Sequence, residues 1–395
     1  MMGNSDTKNG RLPMGYKQTE VGVIPEDWNI DYIKNLTAIK TGGRNTQDRI
    51  ENGLYPFFVR SQTVERINSY SFDGEAVLTA GDGVGVGKVI HYVNEKFDCH
   101  QRVYRISDFS EKLNGYYFYL YFSNNFLNRI MQMTAKSSVD SVRMDMIANM
   151  QIPLPPTKAE QTAIASALSN ADALISSLEK LIAKKRNIKQ GAMQKLLQPK
   201  AGWVVKKLGE VATIVRGASP RPIEDPKWFD RNSLIGWVRI SDVTKSVKVL
   251  TETTQKLSEL GIQSSRYVEE GNLIMSICAT VGRPILTRIN VCIHDGFVVF
   301  KNPQVEINYL YYFLSFIEKD WSKNGQTGSQ MNLNTTLINT TEIPIPAFKD
   351  EQTHIATLLS DMDQELTALE TKLEKYRRLK LGMMQNLLTG KIRLV

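Results

Sequence analysis

The chain has 395 residues, 42% of them apolar and 23% charged, with a formal charge of +8 and three scattered cysteines, Cys99, Cys278 and Cys292. That length holds two or three ordinary cores, no apolar run approaches the ~20 residues of a membrane span, and an odd, dispersed cysteine set argues against a disulfide framework. The charge is local: residues 180–200 carry seven Lys or Arg and no acid, residues 371–393 carry seven against Glu374 alone, and the rest sums to −5, so any hold on nucleic acid outside those stretches rests on a few placed side chains rather than bulk charge.

The polar opening MMGNSDTKNG lacks the hydrophobic stretch of a secretory signal, which predicts a loose tail over residues 1–14 and a cytoplasmic address. Residues 15–156 are rich in short β-type runs broken by Gly, Asn and Asp and predict a β-rich domain. Within it Gly81, Gly83, Gly85 and Gly87 precede Lys88. The Walker spacing needs a glycine where Asp82 stands, and the G-x-G-x-x-G register fails at Val86 and Lys88, so a turn between strands is the better reading. Cys99 beside His100, and Cys292 near His294, lack C-x-x-C spacing and predict no metal site.

Residues 157–199 predict a long helix. Its apolar positions, Ile164, Leu168, Ala171, Ile175, Leu178 and Ile182, alternate spacings of four and three as a heptad seam does. Thr157 with Glu160 has the form of a capping box, Pro155 and Pro199 bracket the rod, and ~40 residues at 1.5 Å each give ~60 Å. Residues 200–347 predict a second β-rich domain that echoes the first: WVVKKLGEVATIVRG from Trp203 lies over WNIDYIKNLTAIKTG from Trp28, Arg239 over Arg60, and His294 near His100. Residues 348–390 predict a second long helix with the seam Ile355, Leu359, Met362, Leu366, Leu369 and Leu373, Phe348 at its cap position, and a short tail over 391–395.

The helices are copies. Ile152 to Leu197 and Ile343 to Leu388 align without a gap at an offset of 191 with 22 of 46 positions identical, which implies two equivalent modules. Residues 157–179 sum to −2 and 349–371 to −5. Parallel pairing would therefore set two basic halves side by side, whereas antiparallel pairing sets each basic half beside an acidic one. The predicted fold is α+β: two β-rich domains joined by two long antiparallel coiled-coil helices with pseudo-two-fold symmetry, the symmetry of the two strands of a DNA duplex. Gly191 and Gly382 occupy equivalent places late in the helices; each costs about 1 kcal/mol relative to alanine, for which either close approach of another backbone or fraying is a reason.

With the duplication, the helix starts PTKAEQTAIA and FKDEQTHIA, the opening GYKQTEVGVIPEDW from Gly15, and I-P-L-P or I-P-I-P before each helix, the chain resembles the DNA-specificity subunit of type I restriction-modification enzymes over essentially all of residues 15–390. The resemblance implies two target-recognition domains, each reading half of a bipartite site in double-stranded DNA, with the helices as spacer. It also implies two adenine-methyltransferase subunits as partners, with ATP-driven restriction subunits as optional further ones. S-adenosylmethionine and any ATP or Mg would be bound by those partners; no cofactor, metal, membrane or catalytic residue is implied for this chain.

Arginine forks match guanine O6 and N7, and Asn or Gln match adenine. Such residues near glycine-rich or polar turns make Lys40, Arg44, Arg60, Ser61, Gln62, Arg102 and Arg143 the candidate DNA-binding set of the first domain, and Arg216, Arg221, Arg239, Ser241, Arg283 and Asn332 that of the second. Lys184, Lys185, Arg186, Arg377 and Arg378 could touch phosphates, but pairing with the acids of the neighbouring helix explains them more simply. The rival reading is a coiled-coil scaffold that separates two binding heads without DNA; salt-sensitive DNA binding distinguishes the two. A stand-alone enzyme on nucleic acid is disfavoured by the missing catalytic motifs.

Overall fold

The structure, a computed structural model, describes residues 12–133, 141–321 and 333–394. It divides into two compact units, one within residues 1–179 and 371–395, the other within residues 180–370. Two helices of 39 residues each, Lys158–Leu196 and Lys349–Leu387, contribute a stretch to both units. The dividing positions, 179 and 370, are themselves equivalent in the repeat.

In the first unit a mixed six-stranded sheet runs in the order Ala38–Thr41, Val103–Ser107, Phe72–Ala80, Ile90–Cys99, Tyr55–Phe58, Glu65–Ile67. The helix Gly115–Met133 buries Tyr117, Phe118, Tyr121, Phe122, Phe126 and Ile130, residues spaced to fall on one side. Asn114 starts it by accepting from the amide of Tyr117 at 2.9 Å. Most strands of the second unit fall in a five-stranded sheet (Thr213–Arg216, Phe297–Lys301, Leu273–Ser276, Pro284–Thr287, Val249–Leu250) and a four-stranded one (Gln255–Lys256, Gly236–Val238, Val291–Ile293, Arg266–Val268). Its helix Ile307–Phe316 is started by Glu306, which accepts from the amide of Tyr309 at 2.6 Å.

The repeated motifs have structural jobs. Each I-P-x-P strand, Gln151–Leu154 or Glu342–Ile345, pairs antiparallel with one partner only, a place that tolerates a proline without a donor. The carbonyl of the first proline anchors each strand: the Tyr117 hydroxyl donates to the Pro153 carbonyl at 2.9 Å, and Tyr309 does the same for Pro344. The glutamine of each E-Q is buried and bonded through both its amide nitrogen and its oxygen. Gln161 donates to Lys112 O (2.9 Å) and accepts from Asn114 N (2.8 Å), while Gln352 donates to Pro346 O (3.2 Å) and accepts from Glu306 N (2.9 Å). A buried amide left unpaired would cost about 1–3 kcal/mol; here it fastens the long helix to the start of each unit's own helix.

Each unit's core takes in both of its helical stretches. Ile164 and Leu168 share a cluster with Leu387, Leu388, Trp28, Phe118 and Phe122; Ile355 and Leu359 share one with Leu197, Tyr309 and Leu310. Burying such a side chain is worth about 1.5–3 kcal/mol, so the seam begins inside the domain cores rather than between two bare rods. The helical stretches run antiparallel in each unit, and their ion pairs repeat. In the first, Arg377 meets Glu179 at 2.6 Å and Lys380 meets Asp172. In the second, Arg186 meets Glu370 at 2.7 Å and Lys189 meets Asp363; each of these pairs maps onto its counterpart by the offset of 191. Lys185 adds a bond to Glu365 at 2.6 Å. The charge pattern thus chooses the antiparallel sense, as expected, and commits Lys185, Arg186 and Arg377 to acids.

Two local expectations need correction. Only half of the capping box forms: Thr157 Oγ1 accepts from Glu160 N at 3.1 Å, but the Glu160 carboxylate turns to Arg393, bonding Nε and, at 2.8 Å, Nη2. Two charge-assisted bonds outcompete one to a neutral amide. Close backbone packing at Gly191 and Gly382 is also absent, since a Cβ at either would meet nothing within 4 Å; both lie in unbroken helix.

Candidate nucleic-acid interface

Each unit gathers arginines at a corner where a histidine-bearing strand ends against a glycine turn. In the first unit, strand Tyr55–Phe58 pairs parallel with Ile90–Cys99, and His100 N donates to Phe58 O at 2.9 Å, which sets Arg60 beside the histidine turn. Gly42, closing strand Ala38–Thr41, is forced: a Cβ there would lie 2.0 Å from the Cys99 carbonyl oxygen. Arg44 follows and donates from Nε to Asp98 Oδ2 at 3.1 Å. Asp98 is buried and also accepts from the hydroxyls of Ser69 and Ser71.

The glycine-rich loop completes this corner. It cradles two arginine-bearing segments rather than a phosphate: a Cβ on Gly81 would come within 3.0 Å of the Arg102 carbonyl oxygen, and one on Gly85 within 2.4 Å of that of Arg60. Between these glycines Asp82 takes both guanidinium groups. Arg60 Nη1 donates to Oδ1 at 2.7 Å, and Arg102 Nη1 lies 3.4 Å from Oδ2. The arginine side chains remain 44% and 64% exposed against 23% for Asp82, so the carboxylate is the inner member. His100 accepts from Arg102 N through Nδ1 at 2.9 Å; burial, reinforced by Arg60, holds its pKa below the ordinary value.

The second unit repeats the plan with different chemistry. Trp237 pairs parallel with Cys292 and Val238 with Ile293, which sets Arg239 beside His294. Gly217 stands where Gly42 does, its Cβ position 2.0 Å from the His294 carbonyl oxygen. His294 Nδ1 accepts from Gly296 N at 2.9 Å, and burial lowers its pKa as well, with Asp295 opposing and Arg239 assisting. The acid here is Asp295. Its Oδ1 accepts from the Ser219 hydroxyl at 2.5 Å, Arg221 Nη2 is 3.3 Å from Oδ2, and Arg216 Nε donates to its carbonyl at 2.7 Å. The Ser219 bond is the main cause that holds the Asp295 carboxyl below the usual range. Arg239, Arg231, Thr253, Gln255 and Lys256 line an adjoining cleft of about 890 Å³.

Among the sequence candidates, the structure brings Arg44, Arg60 and Arg102 to the first corner. Arg143 sits close by, since Val142 N donates to Gly81 O at 2.8 Å and Ser141 bridges Asp82. Lys40, Ser61 and Gln62 are exposed, with the Ser61 hydroxyl donating to Thr63 O at 2.9 Å. Arg216, Arg221 and Arg239 gather at the second corner and Ser241 is exposed nearby on Ile240–Lys245. Arg283 is directed elsewhere, half-buried and donating from Nη2 to Ser246 O at 3.2 Å. Asn332 lies outside the described residues. Sequence reasoning missed Asp82, Asp98 and Asp295, the carboxylates that hold the arginines; the one available signal was an acid inside a glycine run. Cys99 and Cys292 are buried, and the described residues hold no cluster of three or more metal-ligating side chains.

Forked cations, hydroxyls and amides on exposed turns are the groups that pair with base edges and phosphates. Residues 25–190 and 200–376 each match the family model of the type I restriction modification DNA specificity domain. The chain is 24% identical to the putative type I restriction enzyme MjaX specificity subunit of Methanocaldococcus jannaschii, over 96% of both chains. It is also 24% identical to the EcoDI specificity subunit of Escherichia coli, over 82% of this chain and 78% of that one. Its fold is similar to that of the type I restriction-modification S subunit from M. genitalium, with a TM-score of 0.63 at 16% identity over 91% of this chain and 96% of that one. Since the family model covers both bodies and most of the chain, the protein belongs to the type I restriction-modification DNA specificity family.

Proposed function

We propose that the chain is the sequence-reading subunit of a type I restriction-modification complex and that each unit reads one half of a bipartite site in double-stranded DNA. The observation that carries this is the recurrence of one corner, built on Gly42 and His100 in one unit and on Gly217 and His294 in the other, furnished with different arginine sets. Equal scaffolds with unequal side chains are what two different half-sites require. Exchanging residues 15–150 for those of another reader, followed by mapping of N6-methyladenine in the host genome, should change one half of the modified motif and leave the other intact. A change in both halves, or in neither, overturns the reading.

The same proposal assigns chemistry to partners. The chain acts in the cytoplasm without catalysis of its own, and two adenine-methyltransferase subunits bring S-adenosylmethionine, joined in a restricting complex by ATP-driven subunits. Support comes from a repeated surface feature. Ile188 and Leu379, equivalent by the offset, are exposed, and each lies one turn before a glycine with open space over it, Gly191 and Gly382. Helix-interior glycine costs about 1 kcal/mol, so a bare, duplicated apolar and glycine face fits two copies of one partner better than it fits fraying. Leucine at both glycines should abolish copurification with the modification subunit; undiminished copurification contradicts this docking face.

A further inference from the structure

We propose that Asp82 and Asp295 are positioning residues for base recognition, each holding arginine forks of its own corner at the angle that decides which bases that half-site contains. The inference rests on the function proposed above. An unrestrained arginine carries rotamer entropy that is lost when its fork engages a base. Asp82 settles part of that in advance for two arginines, taking one Nη1 from each, so that the remaining donors of each fork are left for a ligand. Guanine O6 and N7 need two parallel donors, and a fork held by one nitrogen can still supply them.

The carboxylate also selects against the wrong ligand. A phosphate oxygen approaching Arg60 or Arg102 meets the Asp82 charge, whereas a base edge, being neutral, does not; like-charge opposition of this kind turns a general cation into a discriminating one. The glycines fit this role, since Gly81 and Gly85 let the loop bring Asp82 against the backbones of both arginine segments.

The two corners take their acid from different segments of the chain. With Gly74 aligned on Gly271, Ala279 stands in the place of Asp82, and Gln101, following His100, stands where Asp295 follows His294. Gln101 instead donates to the Asn45 side chain at 2.7 Å. Asp82 therefore aims Arg60 and Arg102 from the glycine loop, while Asp295 aims Arg221 from the turn itself, with Ser219 bracing it. Two differently aimed sets give two different half-sites on one scaffold.

The test uses the full chain expressed with its modification subunits and reads the genome-wide N6-methyladenine motif. D82N keeps the side-chain shape and removes the charge. It is expected to lower the preference for cognate over single-base-altered sites by about tenfold in one half-site, with the other half unchanged, the size of one lost bidentate contact. D295N is expected to do the same in the other half-site. D82E, which restores the charge, is expected to return strictness to within about threefold of the parent, a rescue that a merely structural role would not show in the motif. A D82N chain that modifies the parental motif with parental strictness, a loosening of both halves, or a D82E chain as loose as D82N each overturns the proposal. The R60A/R102A double variant separates this failure from the wider one: if it loosens one half while D82N does not, only the positioning role falls, and if it too leaves the motif untouched, the reading of this corner as DNA-facing falls with it.

Discussion

The two units solve one problem in two ways at the place where a long helix ends against a domain. In the second, the chain runs from helix Lys158–Leu196 through Pro199 straight into Trp203, whose indole nitrogen donates to Glu351 at 3.3 Å, with Lys200 3.9 Å from the same carboxylate. In the first, no peptide link joins the end of helix Lys349–Leu387 to the tryptophan, and side chains replace it. Arg393 binds Asp27 with two bonds, 2.9 and 3.0 Å, and also Glu160, the repeat counterpart of Glu351. The Tyr16 hydroxyl donates to Gly390 O at 3.2 Å, and Gly390, at φ +68, lies so near Pro25 that a Cβ would sit 2.6 Å from its ring. Covalent continuity lets the second unit leave its glutamate 39% exposed; its absence makes the first bury the equivalent one to 2%.

That contrast is sharpest at the charged residues. R393A should lower the stability of the chain by about 3 kcal/mol, because it strands a buried carboxylate; the figure is at the lower end for a broken buried pair because Arg393 is itself partly exposed. K200A, which removes the lysine beside the equivalent glutamate Glu351, should cost less than about 0.5 kcal/mol, the usual scale of an exposed pair. Urea denaturation of both variants measures the difference, and equal losses would mean that the anchor is not needed. A smaller asymmetry is expected on the helices. Asp363 accepts from the Tyr312 hydroxyl at 2.7 Å as well as pairing with Lys189, while Asp172 pairs with Lys380 and is 40% exposed. D363N should therefore cost about 1–2 kcal/mol and D172N less than about 0.5; a reversed order in the same measurement would break the comparison.

The helices and their sense were legible because the information is local and repeated. Heptad spacing at Ile164 and Ile355 and the acidic and basic halves need no knowledge of the fold. The corners were legible only as residue types. Arg60, Asp82 and Arg102 are far apart in sequence and meet through sheet pairing, so Asp82 looked like a flaw in a phosphate loop until the loop was seen to pack on the arginine segments. Arg283 illustrates the converse: it follows the turn at Gly282, as a reader might, yet its guanidinium is bonded to Ser246. Gly191 and Gly382 were visible as exceptions to helix propensity, but whether a backbone packed on them depended on tertiary neighbours that periodicity does not encode.

Helix length as the ruler between two half-sites is tested most directly by lengthening both helices at their equivalent dividing positions, after Glu179 and after Glu370. Seven residues inserted at each keep the heptad phase and leave every ion pair within a unit intact, adding about 10 Å, roughly 3 base pairs. Methylome sequencing should return the two parental half-sites separated by about three more unread base pairs. The same half-sites at the parental spacing would contradict the ruler.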